Sequence, residues 1–408
     1  MKAYILAAGE GTRMRPLTAN IPKPLLPVAG KPFLRHTLES LKENDVKDIT
    51  ILIGWRGRRI REYLGDGSEL GLNIDYEEQE RRLGTAHAIG LARAHIDGPF
   101  ISINGDVVIT SNSVKGFISA WKKSKGTMMA LAQVKDPKGL GVIEVEDDIV
   151  KGIEEKPKRP KSNLINAGLY AFDEGIFELI EKTPKSKRGE YEITDTLLML
   201  MEKESVHGHI LSEEWIDVGR PWDLLKANEI LLRNVHGEHN GTVQKNVVIE
   251  NGVQIGEGTN VKSGAYIIGP AIIGENCEIG PNCLIRASTY IGDGCKIGSA
   301  SEVKNSIIMD GTNVPHHNYV GDSVIGERCN LGSGTKIANL RLDEKTIKIA
   351  YKGQHMDTGL RKLGAILGDD VKTGINASID VGTIIGENAF IGPGAVVKGV
   401  IAPNSRIL

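Results

Sequence analysis

The chain has 408 residues, too many for one compact core, so two domains are the starting expectation. Its 50 basic residues oppose 52 acidic ones, so no global field draws it to nucleic acid or an anionic membrane, and any anion site must be local. The N-terminal apolar run breaks at Gly9, which argues against a signal peptide or membrane span; the expected compartment is the cytosol, hence a cytoplasmic protein.

Over residues 1–230, short apolar runs alternate with helical patterns: AYILAAG, FLRHTLESLKEND, DITILIGW, LNIDYEE, PFISINGD and TMMALAQV. That alternation predicts an α/β domain with a largely parallel sheet and ligands at the strand C-termini. GRPWDLLKANEILLRN reads as a helix closing this domain, and VHGEHNG as a polar link within 231–245.

The stretch LAAGEGTRMR after the first run does not fit a dinucleotide fingerprint. Met14 stands where the third glycine belongs, and Pro16 and Pro22 prevent the required helix. No GK[ST] follows, so a P-loop fails too. A bare turn explains the glycines but not the basic residues around them. A glycine-rich loop whose backbone N–H groups approach a triphosphate explains both, with Arg13 and Lys23 neutralising charge as phosphate is transferred.

The region 246–408 is a repeat. From Ile249 an aliphatic residue recurs every sixth position through Val303, often followed by glycine. Neither a helix nor a simple strand has that period. A left-handed parallel β-helix does, with three hexapeptides per coil and the aliphatic residue inward. Cys277, Cys283, Cys295 and Cys329 each lie four residues after an aliphatic position, a small inward slot, so they read as core filling rather than a zinc site. The period slips near Ile308 and again at Val320 to Ile325, and the polar, basic insertion ANLRLDEKTIKIAYKGQHMDTGLRKLGAILGDD should lie outside the coils.

LAAGEGTRMRPLTANIPKPLLPVAGKP closely resembles the signature loop of sugar-1-phosphate nucleotidylyltransferases, a family with a Rossmann-like nucleotidyltransferase domain. The resemblance implies nucleotide binding at Leu6, Ala8, Gly9, Gly11 and Thr12, with Arg13 and Lys23 as catalytic residues. In QERRLGTAHA it implies Gln79 on a pyrimidine edge and Gly84 and Thr85 beside the nucleoside. NGD and WIDVG supply Asp106 and Asp217 as Mg²⁺ ligands, and Gly141, Glu155, Lys156 and Asn166 match positions used for the sugar phosphate. RGEYEITD is also family-like. His207 and His209 read as surface polar residues and His87 as structural.

The repeat in turn resembles the acetyltransferase half of bifunctional enzymes that make UDP-N-acetylglucosamine, the archaeal forms especially. YVGD makes His316 the general base and Tyr319 its neighbour, with His317 a bystander. Arg286 and Lys304 match residues that hold the sugar phosphate, Asn330 and Asn339 polar groups around the amine, and Lys345 and Lys348 the archaeal insertion. The resemblance implies acetyl-CoA, sugar-1-phosphates and UTP or dTTP as substrates, and a homotrimer. Leu340 departs from the bacterial tyrosine, which leaves glucosamine-1-phosphate and galactosamine-1-phosphate both open. The competing reading keeps the nucleotidyl transfer and makes the β-helix an oligomerisation or regulatory domain, as in guanylyl- and adenylyltransferases. A catalytically dead regulatory subunit is a third, opposed by intact Arg13, Lys23, Asp106 and Asp217.

Overall fold

The computed structural model describes residues 1–137, 139–351 and 354–408; Lys352 and Gly353 of the insertion lie outside the described residues. The chain forms two compact units, one of residues 1–10, 22–25 and 33–217, the other of 11–21, 26–32 and 218–408.

The first unit is built on a nine-stranded sheet in the order Asn73–Glu78, Asp48–Ile53, Lys2–Leu6, Phe100–Asn104, Leu164–Phe172, Met128–Gln133, His207–Ile210, Ile149–Glu155, Gly141–Glu146. The first four strands run parallel, and the inner three, Asp48–Ile53, Lys2–Leu6 and Phe100–Asn104, are almost continuously apolar, as strands covered on both faces must be, while the edge strand Asn73–Glu78 is largely polar. Beyond them the sheet is mixed rather than largely parallel, because Leu164–Phe172 runs antiparallel to both neighbours. The last two strands form a hairpin around Asp147 and Asp148, with φ of 50° and 60°. Two successive left-handed residues suit a tight hairpin turn, and Asp tolerates that region.

The helix Phe33–Glu43 buries Phe33, Leu34, Thr37, Leu38 and Leu41, a spacing that puts one face on the sheet. The helix Ser111–Ser124 starts where Thr110 Oγ1 accepts the Ser113 N–H at 3.3 Å. Lys2–Leu6 and Phe100–Asn104 are adjacent and parallel, Leu6 opposite Asn104. Their C-terminal loops, carrying Gly9 and Asp106, therefore emerge side by side, where a doubly wound sheet gathers ligands.

The second unit is a left-handed parallel β-helix with three ladder sheets. Cα partners in the early coils lie 18 residues apart, as Ile255 and Ile273, the three hexapeptides expected. From Tyr290 opposite Ile307 to Ile308 opposite Ile325 each coil is one residue shorter. The slip in the repeat is thus a shorter turn; the ladder stays in register. The stretch read as a polar link already contributes Glu238–His239, paired with Gln254–Ile255, since a ladder strand needs only backbone. The insertion leaves the coils as an antiparallel hairpin, Lys348–Tyr351 with Gln354–Asp357.

The inward aliphatic residues form one column, Val253, Ile255, Val261 and onward to Val397, at 0–3% exposure. Each fully buried Ile or Val contributes roughly 1.5–3 kcal/mol. All four cysteines are free and buried within this column, and burial pushes Cys277 to about 11 and Cys283 and Cys329 to about 12. They are core filling, as their phase indicates.

One outer face is apolar too: Ile272, Tyr290, Ile307, Val324, Ile366 and Ile384 project outward from one sheet yet are 0–7% exposed. The helix Asp223–Leu232 packs here, in this unit rather than the first. Its buried Asn228 accepts the Ala29 N–H at 2.8 Å and donates to Ser288 O at 2.9 Å, so both ends of the amide are satisfied.

Candidate active sites

In the first unit a cleft of about 300 Å³ opens over the strand C-termini, and Leu6, Ala8, Gly9, Lys23, Gln79, Gly84, Thr85 and Asp106 all line it. Lys23 begins the short turn Lys23–Leu25 and is 7% exposed. A buried ammonium needs a partner. Its Nζ lies 2.8 Å from Asp106 Oδ2, on a carboxylate that is 37% exposed. Asp217 pairs with Val107 across two short antiparallel strands, which brings its backbone beside that of Asp106.

Gly11, Thr12 and Arg13 fall in the second unit. Gly11, at φ 65°, opens the turn Thr12–Met14, its carbonyl accepting the Met14 N–H and Thr18 Oγ1–H, and Arg13 is exposed.

Across the cleft wall, Gln79 Nε2 lies 3.2 Å from His87 Nδ1. Burial lowers the His87 imidazole below its ordinary range, which favours the neutral ring and leaves Nδ1 able to accept. The expectation that His87 is merely structural missed this contact. Gly84 has φ 118°, and a Cβ there would stand 2.3 Å from Tyr191 O. Without a side chain at 84, Tyr191 N–H reaches Leu83 O and Tyr191 O takes the Ala86 N–H, while Thr85 Oγ1 accepts the Ile193 N–H. The EYEITD segment is thereby fastened to the 79–86 segment and brings Glu190 into the cleft wall. Arg82, also in the wall, pairs with Glu10 at 3.2 Å.

The predicted sugar-phosphate residues also gather. Gly141 pairs with Glu155 in the hairpin, and a Cβ at 141 would lie 3.0 Å from Glu155 Oε2 and 4.0 Å from Asn166 Cβ. Lys156 Nζ is 3.7 Å from Glu155. Asn166 donates to Tyr170 Oη at 2.7 Å and accepts the Gly168 N–H at 3.0 Å. Arg188, which the sequence reading left unassigned, bridges Glu192 at 2.8 Å and Glu155 at 3.5 Å. His209 is partly buried against Phe117, ring centroids 6.1 Å apart, rather than a surface residue.

On the β-helix, Arg286 follows inward Ile285, Lys304 follows Val303 on the next rung, and Gly321 follows Val320 above it. Arg286 pairs with Glu302 at 3.0 Å and Lys304 with the buried Asp322 at 3.0 Å. Tyr319 Oη accepts from Asn339 Nδ2 at 3.1 Å, and burial raises the phenol, keeping it protonated. A Cβ at Gly321 would stand 2.7 Å from Tyr319 Oη and 2.8 Å from Asn339 Nδ2, so the missing side chain is the space those groups occupy.

His316 is exposed at the corner before Tyr319–Gly321, and Lys345 and Lys348 are exposed on the insertion. Asn330 is on a different ladder sheet from Tyr319, and within one chain the two point from different faces. Asp322 was quoted in the YVGD motif without a role. Nothing in the sequence gives it a role, because its partners lie in two other stretches, 304–305 and 339.

Residues 2–234 match the nucleotidyl transferase family, and residues 267–407 match the family described as GMPPB C-terminal domain. The chain is 44% identical over 409 residues to the bifunctional protein GlmU of Methanocaldococcus jannaschii, covering 100% of this chain and 97% of the relative. It is 42% identical over 414 residues to the protein of that name from Methanococcus vannielii, with coverage of 100% and 97%. A bifunctional sugar-1-phosphate nucleotidylyltransferase/acetyltransferase of Sulfurisphaera tokodaii is 39% identical over 400 residues, 98% and 97% covered. A Bacillus anthracis structure described as a glucose-1-phosphate thymidylyltransferase aligns at 32% identity and TM-score 0.54, over 58% of this chain and 96% of that one. Among the described residues no helix is long and apolar enough to cross a membrane.

Proposed function

The chain belongs to the family of bifunctional sugar-1-phosphate nucleotidylyltransferase/acetyltransferases, and from that premise we propose that its β-helix acetylates an amino-sugar-1-phosphate and its N-terminal unit activates the product. The amine of glucosamine-1-phosphate or galactosamine-1-phosphate attacks the acetyl-CoA carbonyl. A C–N bond forms and the C–S bond breaks, while His316 takes the amine's proton and passes it to the departing sulfur, so that CoA leaves as the thiol. A phosphate oxygen of the N-acetylated sugar then attacks the α-phosphorus of UTP or dTTP, giving UDP-N-acetylglucosamine or its analogue and expelling pyrophosphate.

Lys23, held against Asp106 at 2.8 Å, is placed to meet charge that develops on the phosphates, and Arg13 is assigned the same task. Gln79 presents the rest of its amide, an acceptor and one N–H, to the N3–H and carbonyl of a pyrimidine. Asp106 and Asp217 suit Mg²⁺: among the described residues no group of three or more ligating side chains exists, and this ion typically takes one or two carboxylates plus substrate phosphates and water. When bound, it supplies charge neutralisation of the triphosphate. Glu155, Lys156, Gly141 and Asn166 form the sugar end.

One observation carries the bifunctional reading. A β-helix that served as a stalk would need nothing chemical on its outer rungs, yet here Lys304 and Asn339 converge on one buried carboxylate, Asp322, and Asn339 also reaches Tyr319. In the competing reading the β-helix only assembles or regulates. Incubation with acetyl-CoA and each amino-sugar-1-phosphate, following free thiol, decides between them, with His316→Ala as control. Thiol release lost in the variant supports two sites; none from the parent leaves the scaffold reading. A homotrimer is part of the proposal: Val248, Tyr266 and Val396 lie outward on one ladder sheet at 39–75% exposure and suit burial between copies.

A further inference from the structure

Asp322 is 3% exposed and sits at φ 51°, a left-handed conformation that Asp tolerates better than most residues. Its Oδ1 accepts from Lys304 Nζ at 3.2 Å and from Asn305 Nδ2 at 2.7 Å. Its Oδ2 accepts from Lys304 Nζ at 3.0 Å and from Asn339 Nδ2. Three donor groups of this chain thus make four contacts to a carboxylate with about four acceptor sites. Asp322 has no lone pair to offer a substrate and no role as a base.

What it does is fix an orientation. A carboxylate paired with a lysine only accepts, so the amide of Asn339 must turn its nitrogen toward it. The second N–H of that nitrogen goes to Tyr319 Oη at 3.1 Å. Both donors of Asn339 are then used, and among the described residues nothing donates to its Oδ1. Tyr319, accepting from Asn339, keeps its own proton to donate.

We propose that Asp322 is the positioning residue of the acetyl-transfer site: it locks Asn339 with its oxygen outward, so that the site offers an acceptor to an amine, and it holds Lys304 in the same contact. The inference rests on the acetyltransferase reading. It adds that the orientation of the acceptor facing the amine is set by a buried carboxylate that never touches the sugar. Replacing that carboxylate with an amide puts a second nitrogen opposite Asn339 and turns the Asn339 oxygen inward, leaving an N–H pair facing the substrate amine.

The test uses the full-length protein and measures thiol release from acetyl-CoA with glucosamine-1-phosphate and galactosamine-1-phosphate. Melting and pyrophosphate release in the nucleotidyl assay serve as fold controls. Asp322→Asn is expected to raise KM for the amino sugar about tenfold or more while KM for acetyl-CoA stays within about twofold. The exchange Asp322→Asn with Asn339→Asp restores an acceptor at 339 and is expected to recover most of that loss. A merely structural role would give no recovery. Unchanged kinetics in Asp322→Asn, or a double variant no better than the single, overturns the proposal. Where the single variant does not fold, the double, which keeps the charge count, decides alone: KM within about fivefold of the parent supports the lock, and a larger rise overturns it. A parent protein that releases no thiol with either sugar overturns the acetyltransferase reading itself, and the inference with it.

Discussion

The ammonium of Lys23 and the carboxylate of Asp106, 83 residues apart in sequence, meet at 2.8 Å in the wall of the cleft. The lysine is nearly buried and the aspartate half-open, so the pair is neutral toward the protein and leaves an open carboxylate edge for the proposed metal ion. Asp106→Asn is expected to cut nucleotidyl transfer by roughly a hundredfold or more, because a neutral amide neither binds Mg²⁺ nor anchors Lys23. Pyrophosphate release against Mg²⁺ concentration checks this, with melting as the fold control. Near-normal turnover would sink the metal assignment.

If Gln79 meets the base as proposed, its contact with His87 should make nucleotide binding pH-dependent in a defined direction. His87 is held below its ordinary value by burial, so the folded protein binds fewer protons there than the unfolded chain. Stability from this group is therefore full above about pH 6.5 and is lost as pH falls through the lowered value. Pyrimidine nucleotide affinity should follow the same course, since imidazolium cannot accept from Gln79. Titration calorimetry between about pH 5 and 8 should show affinity level at the top and falling at the bottom, and His87→Asn should flatten the profile.

Gly84→Ala should fail for a steric reason. Its Cβ would meet the Tyr191 carbonyl at 2.3 Å, and φ 118° is a region that L side chains rarely adopt. A loss of about 1–3 kcal/mol of stability, with weakened nucleotide binding, is expected from denaturant titration and nucleotide KM. A variant as stable as the parent, with unchanged KM, would mean that Tyr191 moves aside without consequence.

The four cysteines offer a probe of the β-helix core. Burial and raised thiols predict no reaction with an aromatic disulfide reagent in the native protein and four equivalents after denaturation. Fast native labelling would place a cysteine outside the core.

Much of this was legible in sequence because its signals are local. A six-residue aliphatic period needs nothing beyond inward packing, and it fixed the phase of Cys277 and Cys329 as well as the coils. Gly9, Gln79 and Asp106 stand in short motifs at strand ends, and the sheet brings those ends together. What stayed hidden depends on distant partners. Nothing near His87 indicates its contact with Gln79, Arg188 reaches Glu155 across 33 residues, and Asp322 has partners at 304, 305 and 339. The mixed half of the sheet escaped because Asp147 and Asp148 were not read as a hairpin turn.

Two chemistries in one chain are separated by crossed knockouts. His316→Ala and Asp106→Asn would each be assayed for thiol release from acetyl-CoA with amino-sugar-1-phosphate, and for pyrophosphate release from nucleoside triphosphate with N-acetylglucosamine-1-phosphate. The account predicts that His316→Ala loses the thiol and keeps the pyrophosphate, and that Asp106→Asn does the reverse. Thiol release absent in the parent, or unaffected by His316→Ala, would contradict it.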